Sequence, residues 1–386
     1  MFWKDCFNVK GIASTIGFRS FVKHSPASSD SAIVQLLLDL GAIPYVKTNI
    51  PQTMMAGDSH NYVFGRTLNP HRSNLSAGGS SGGEGALIAM RGSILGVGTD
   101  IAGSVRIPSF CNGVFGLRPS ENRLPYGGQT SPARAGLAGI LPVAGPLATS
   151  VRDLQLFTSV VVNEDPWKYD SACVFSAWRM IPPREKLRLG FILEDMHFPV
   201  HPPILKTLTR AVEALKAAGH EVVELNPPSI REACLLAFRL FAMDPARTAF
   251  QHIQASGEPT IPALAATSLP HEYMPEEYAP LTLEGLYDLQ AQREEYKEKY
   301  RVMMLKAGIE TLIMPGYQTT APEHDMVGLV PYTVLNNVVD VCACYQKLVN
   351  KGADETAVSG NDHTLRKSEQ GGRFWVYQRR DLQTAM

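Results

Sequence analysis

Two glycine-rich turns constrain this chain more than any other feature. The first reads Gly78-Gly79-Ser80-Ser81-Gly82-Gly83-Glu84-Gly85, and the second Gly98-Thr99-Asp100-Ile101-Ala102-Gly103-Ser104-Val105-Arg106-Ile107-Pro108. Residues without a Cβ let backbone approach a ligand closely and adopt conformations barred to other residues. Each turn carries serine in that setting. The second sets Ser104 behind a row of backbone N–H groups, which can hold a developing oxyanion at donor distances of about 3 Å. Taken singly, each is equally a Gly-rich turn of an ordinary α/β fold.

Other readings of these glycines fail on detail. Residues 78–83 have the spacing of a phosphate loop, but Glu84 stands where the lysine belongs and would repel phosphate. Residues 79–83 fit GxSxG formally, yet that elbow needs a strand just before it, and the run from Pro70 to Ala77 is not strand-like.

The rest of the chain reads as α/β. Residues 29–41 predict a helix, capped by Ser29 or Asp30, striped by Ile33, Leu36, Leu37 and Leu40 and stopped at Gly41. Residues 42–46 then predict a short strand. Residues 84–90 predict a helix and 93–98 a buried strand. Further on, 187–193, 221–225 and 311–314 predict strands; Leu205, Leu208, Val212 and Leu215 mark one helix face, and 286–305 a charged helix. The Pro/Gly-rich stretches 124–146 and 181–184 read as long surface loops.

The 386 residues carry a net charge of −1, which argues against a nucleic-acid partner, because a phosphate-binding face needs excess cations. No window reaches about 18 consecutive apolar residues, so no transmembrane helix is expected. The residues after Met1 form neither a charged n-region nor an apolar h-region, which predicts a cytoplasmic protein. The six cysteines form no CxxC pair and read as reduced thiols, and the ten histidines form no metal-ligand cluster.

Together the two turns resemble the amidase signature family, through GGSSGGEGAL and GTDIAGSVRIPS in order and spacing, flanked by family-like segments at 45–54 and 113–120. Residues 144–167 are similar to fungal general amidases and acetamidases, and fatty-acid amide hydrolases share the pattern. The resemblance implies a single α/β domain over 1–386, with its signature core at 74–120 and a mixed, twisted central sheet covered by helices on both faces. It implies hydrolysis of a small-molecule carboxylic amide to an acid and an amine or ammonia through an acyl-enzyme. Ser104 matches the nucleophile and Ser80 the bridging serine, which the family holds in a cis peptide. Lys4, in the segment Phe2-Trp3-Lys4-Asp5-Cys6, matches the base, and Lys47 is the more peripheral lysine. By the same resemblance the N–H groups of Ile101, Ala102, Gly103 and Ser104 form the oxyanion hole and Met54 lines the substrate channel. Asp100 and Arg106 either brace the loop or form an ordinary surface ion pair, and Ser81 hydrogen-bonds within the loop. No metal or organic cofactor is implied, and the assembly implied is a homodimer.

Two departures bear on activity. Only three residues precede Lys4, so the chain is expected to be N-terminally truncated relative to the family and to bury Lys4 poorly. Cys342-Ala343-Cys344-Tyr345-Gln346 replaces an apolar stretch, and 345–386 reads as an atypical tail without recognisable strands. An amidase is therefore the first expectation, and a catalytically inactive homologue acting as a binding protein the second.

Overall fold

Phe2–Lys4 forms β1, which lies inside the main sheet, hydrogen-bonded on both sides. The computed structural model describes residues 1–136, 139–182, 184–266 and 282–345. On one side of β1 runs β2 (Lys47–Thr48) and on the other β5 (Leu95–Asp100), both parallel to it. Parallel neighbours need a crossover between them. The one from β1 to β2 contains α1 (Ala32–Asp39). The path from β2 to β5 contains the small hairpin β3 (His60–Asn61) and β4 (Gly65–Arg66), then α2 (Gly82–Ala89).

After β5 come α3 (Arg106–Asn112), β6 (Phe115–Arg118), β7 (Val143–Ala148) and α4 (Val151–Asn163). β7 pairs antiparallel with β5 and β6, and β11 (Ala343–Tyr345) pairs antiparallel with β6. The six-stranded sheet is thus mixed, in the order β11-β6-β7-β5-β1-β2. Residues three apart on β7 show that helices cover both faces. Ala144 packs with Trp3, Val97 and with Phe157 and Val161 of α4, whereas Leu147 packs with Ile88 of α2 and Val105.

A separate parallel sheet, β10-β8-β9, joins β8 (Arg188–Phe191), β9 (Glu221–Glu224) and β10 (Thr311–Ile313), with α5 (Pro202–Ala217) between the first two. The helices α6 (Ile230–Phe241), α7 (Thr248–Gln254), α8 (Pro262–Ala266), α9 (Leu283–Ala307) and α10 (Pro331–Val338) complete the order. α6, α9 and α10 share one core, built on Leu236, Tyr296, Tyr300, Leu335 and Val338. The sequence signals missed that the late strands form a sheet of their own, since pairing partners are not written in local periodicity.

Four expectations are corrected. The helix near residue 30 begins after Ser31, because Asp30 is already engaged with the Lys10 N–H at 2.7 Å. Residues 42–46 are no strand: Ile43 and Tyr45 stand exposed, Val46 meets β1 through its carbonyl, which accepts the Trp3 N–H at 3.2 Å, and the paired residues are Lys47 and Thr48. The stretch 124–146 is not all surface loop, since its last residues enter β7, buried throughout in mid-sheet. Pro146 lies there opposite Val97, an uncommon place for a residue with no N–H to give. Finally, β11 supplies a late strand where none was legible, through pairing with the β6 edge; residues 346–386 lie outside the described residues. Among the described residues no helix is long and apolar enough to cross a membrane.

Candidate active site

Lys4 ends β1 with its side chain fully enclosed, at 0% exposure. The short N-terminal segment therefore does not leave it open. Its amine donates to Ser80 Oγ at 2.6 Å and to Thr99 Oγ1 at 2.7 Å. Burial away from water disfavours the ammonium and lowers the amine's pKa to about 8, with Cys6 and then Asp100 pulling it partly back.

Ser80 sits where the first glycine turn enters α2, and the Gly79–Ser80 peptide is cis. Gly79 is required there: a Cβ would stand 2.5 Å from Ala56 O and 2.9 Å from Asp58 N. The turn is anchored to the second motif by Ser81, which donates to Thr99 O and accepts from Thr99 N–H, both at 3.3 Å. The Ser81 N–H also reaches Ser104 O at 3.2 Å.

The second turn follows β5. Asp100 and Arg106 are both buried in it, so they are no ordinary surface pair. Arg106 Nη2 donates to Asp100 Oδ1 at 2.9 Å and Nε to Oδ2 at 3.0 Å, the bidentate geometry that gives strong, oriented pairing. Burial alone raises the Asp100 carboxyl, but Arg106 first, then Arg118 and Asn337, outweigh it and hold the group below the usual carboxylate range. The same carboxylate accepts the N–H of Gly103 at 2.9 Å and of Val105 at 3.1 Å.

That arrangement bears on the expected N–H row. The Gly103 N–H is engaged by Asp100, whereas those of Ile101, Ala102 and Ser104 meet no acceptor among the described residues. Gly103 has φ +128°, and a Cβ there would stand 2.4 Å from Thr333 Oγ1. Ser104 is 8% exposed and Ser80 1%, so exposure falls from Ser104 inward to the amine. No hydrogen bond joins the two serine hydroxyls among the described residues; the lysine and Ser80 are brought into contact, and Ser104 is tied to the first turn through its carbonyl, which accepts the Ser81 N–H.

The remaining expected residues separate. Lys47 pairs with Asp5 at 3.1 Å and does not reach Ser80. Met54, at φ +58°, is half-buried and packs on the core that contains Trp3. Sequence reasoning missed Thr99, Thr333 and Asn337. Thr333 Oγ1 donates to Ala102 O at 2.7 Å, and Asn337 Oδ1 accepts from Arg106 Nη2 at 2.6 Å. Signals for all three existed: Thr99 lies inside the second motif, and the other two in the segment 332–337. Among the described residues no group of three or more His, Cys, Asp or Glu side chains could hold a metal ion.

The comparisons with known proteins give the family. The family model described as Amidase matches residues 1–364. An amidase of Gibberella moniliformis is 39% identical over 337 residues, covering 87% of this chain and 63% of that protein. An acetamidase of Emericella nidulans is 37% identical over 351 residues, with the same two shares, 87% and 63%. A solved fatty acid amide hydrolase superposes with a TM-score of 0.84 at 32% identity, covering 89% of this chain and 60% of that one. The chain thus spans somewhat under two thirds of the length of these relatives. With the family model covering nearly all of it, the chain belongs to the amidase signature family.

Proposed function

We propose that the chain hydrolyses carboxylic amides through an acyl-enzyme, with Ser104 as nucleophile, Ser80 as proton relay and Lys4 as base. The observation that carries this reading is the buried Lys4 amine, 2.6 Å from Ser80 Oγ with its pKa lowered to about 8. A lysine's ordinary pKa of about 10.4 leaves almost none of it neutral near pH 7, so a lysine base must be desolvated.

In the proposed cycle the neutral Lys4 amine accepts the Ser80 hydroxyl proton while Ser80 accepts that of Ser104. Ser104 Oγ bonds to the amide carbon, and the carbonyl electron pair moves onto oxygen. The N–H groups of Ile101, Ala102 and Ser104 receive that oxyanion, and Gly103 serves the loop through Asp100 instead. The proton returns through Ser80 to the amide nitrogen, the C–N bond breaks, and the amine leaves. Water then takes the amine's place and gives a proton through Ser80 to Lys4 as its oxygen bonds to the acyl carbon; that proton returns to Ser104 Oγ as the ester bond breaks and the acid leaves. Fixed donors aimed at a developing oxyanion are worth about 3–4 kcal/mol each in comparable sites.

Substrate chemistry is bracketed by the relatives, whose names run from acetamidase to fatty acid amide hydrolase. Met54, half-buried near the core, is the proposed channel residue that meets the acyl chain. The test is a fluorophosphonate probe on the purified chain. Labelling that disappears in Ser104→Ala and falls sharply in Ser80→Ala supports the reading. A folded sample that is not labelled overturns it in favour of an inactive binding homologue.

A further inference from the structure

Glu84 is a carboxyl with no evident task, enclosed at 0% exposure three residues into α2. Helix and sheet are tight here, since a Cβ on the preceding Gly83 would stand 2.9 Å from Thr48 Cβ. Thr48 is the Cα partner of Lys4 across β1 and β2. Among the described residues no cation pairs with Glu84, and its Oε2 has no hydrogen-bond partner. Its Oε1 lies in a short contact with the Thr48 hydroxyl, which also stands 3.5 Å from Trp3 O.

A hydroxyl has one proton and can satisfy one acceptor with it. Trp3 O only accepts. If Thr48 gives its proton there, the short contact with Glu84 is filled by a proton on the carboxyl. An ionised carboxylate would instead be closed off from water with Oε2 bare and only the Thr48 hydroxyl and the Val97 N–H to hold it, a costly arrangement. The positive groups facing it are Lys4 and the Met1 amino group, and the latter donates to Ile43 O at 2.9 Å.

We propose that Glu84 is held as a neutral carboxylic acid donating to Thr48, and that it acts as a positioning residue for Lys4 by keeping a second full anion away from the amine. The inference rests on the reading of Lys4 as base. Besides Glu84, the titratable groups facing that amine are Cys6 and Asp100, and Asp100 is already committed to Arg106. A neutral Glu84 leaves the lysine free to lose its proton; an ionised one would hold it as ammonium. Burial pushes the Glu84 carboxyl well above its ordinary value, in agreement with the geometry.

The experiment has two arms. Infrared spectra of the full chain at neutral pH should contain the C=O stretch of a protonated carboxylic acid that is absent from Glu84→Gln. In Thr48→Val, which removes the hydrogen-bond partner, that band should move to higher frequency. This arm needs no catalysis, so it stands even if no probe labels the protein. In the second arm, the pH dependence of fluorophosphonate labelling in Glu84→Gln should keep the wild-type acid limb, because one neutral group replaces another. A limb moved down by about one pH unit or more would show that Glu84 had been an anion stabilising the ammonium. That shift, or the absence of a carboxylic acid band that Glu84→Gln removes, overturns the proposal.

Discussion

Lys4 Nζ and Ser80 Oγ lie 2.6 Å apart although 76 positions separate them in the chain. The contact needs β1 inside the sheet and the first glycine turn at its end. In the proposed mechanism it makes the protonation of one lysine the variable on which the site depends.

Labelling and turnover should therefore rise with pH through about 8, the pKa to which burial lowers Lys4, since only the neutral amine accepts a proton. A pH–rate profile of probe labelling measures this directly. Lys4→Met should be unlabelled at every pH, and a labelled Lys4→Met would remove the base from the mechanism.

The same shift has a stability consequence. Lys4 binds its proton less well folded, at about 8, than in the unfolded reference at 10.5. Between those values the unfolded chain holds more protons, so stability should climb as pH rises from about 8 towards 10.5. Below about 8 the native state carries the full desolvation penalty, on the order of 3 kcal/mol. Lys4→Met removes that penalty but strands the Ser80 and Thr99 hydroxyls at about 1 kcal/mol each. The variant should thus be slightly more stable than wild type at pH 7, with the advantage reversing above pH 10. Denaturant titrations at the two pH values give the comparison.

Asp100 and Arg106 test the second turn. Asp100→Asn leaves the Arg106 charge buried without its partner, and should cost about 3–5 kcal/mol. It also weakens the hold on the Gly103 and Val105 N–H groups, so labelling at Ser104 should fall even in the folded fraction. Arg106→Lys should not substitute, because an ammonium cannot make the bidentate contact and also reach Asn337 and Thr333 O.

Two glycines should respond in opposite directions to the same substitution. Gly79→Ala sets a Cβ 2.5 Å from Ala56 O and 2.9 Å from two further backbone atoms, so it should lose several kcal/mol and abolish labelling. Gly285→Ala lies in the first turn of α9, with only Thr282 Oγ1 nearby at 3.4 Å. It should gain about 0.5–1 kcal/mol by lowering the entropy of the unfolded chain. Thermal melts of both variants, with labelling as the second readout, decide it.

Some of this was legible in the sequence for a physical reason. Glycine turns are local signals: the runs 78–85 and 98–108 are read from residues adjacent in the chain, so both serines were singled out as candidates from the motif. Helix periods were equally local, and the stripe of Leu208, Val212 and Leu215 is the buried face of α5. Strands were harder. Residues 42–46 have strand-like side chains but form no ladder, whereas Val143–Ala148, with glycine and proline, is a fully buried central strand. Pairing, not propensity, made the difference.

The sequence by itself therefore singled out the candidate residues, because two serines among glycines, and a lysine in a resembling segment, are properties of short stretches of chain. Only the tertiary structure decided whether the lysine is enclosed and what Thr333 and Asn337 hold. Desolvation and hydrogen-bond partners are set by neighbours many tens of residues away. The hydroxyls of Ser80 and Thr99 reach Lys4 only once the parallel ladder has carried it between β2 and β5.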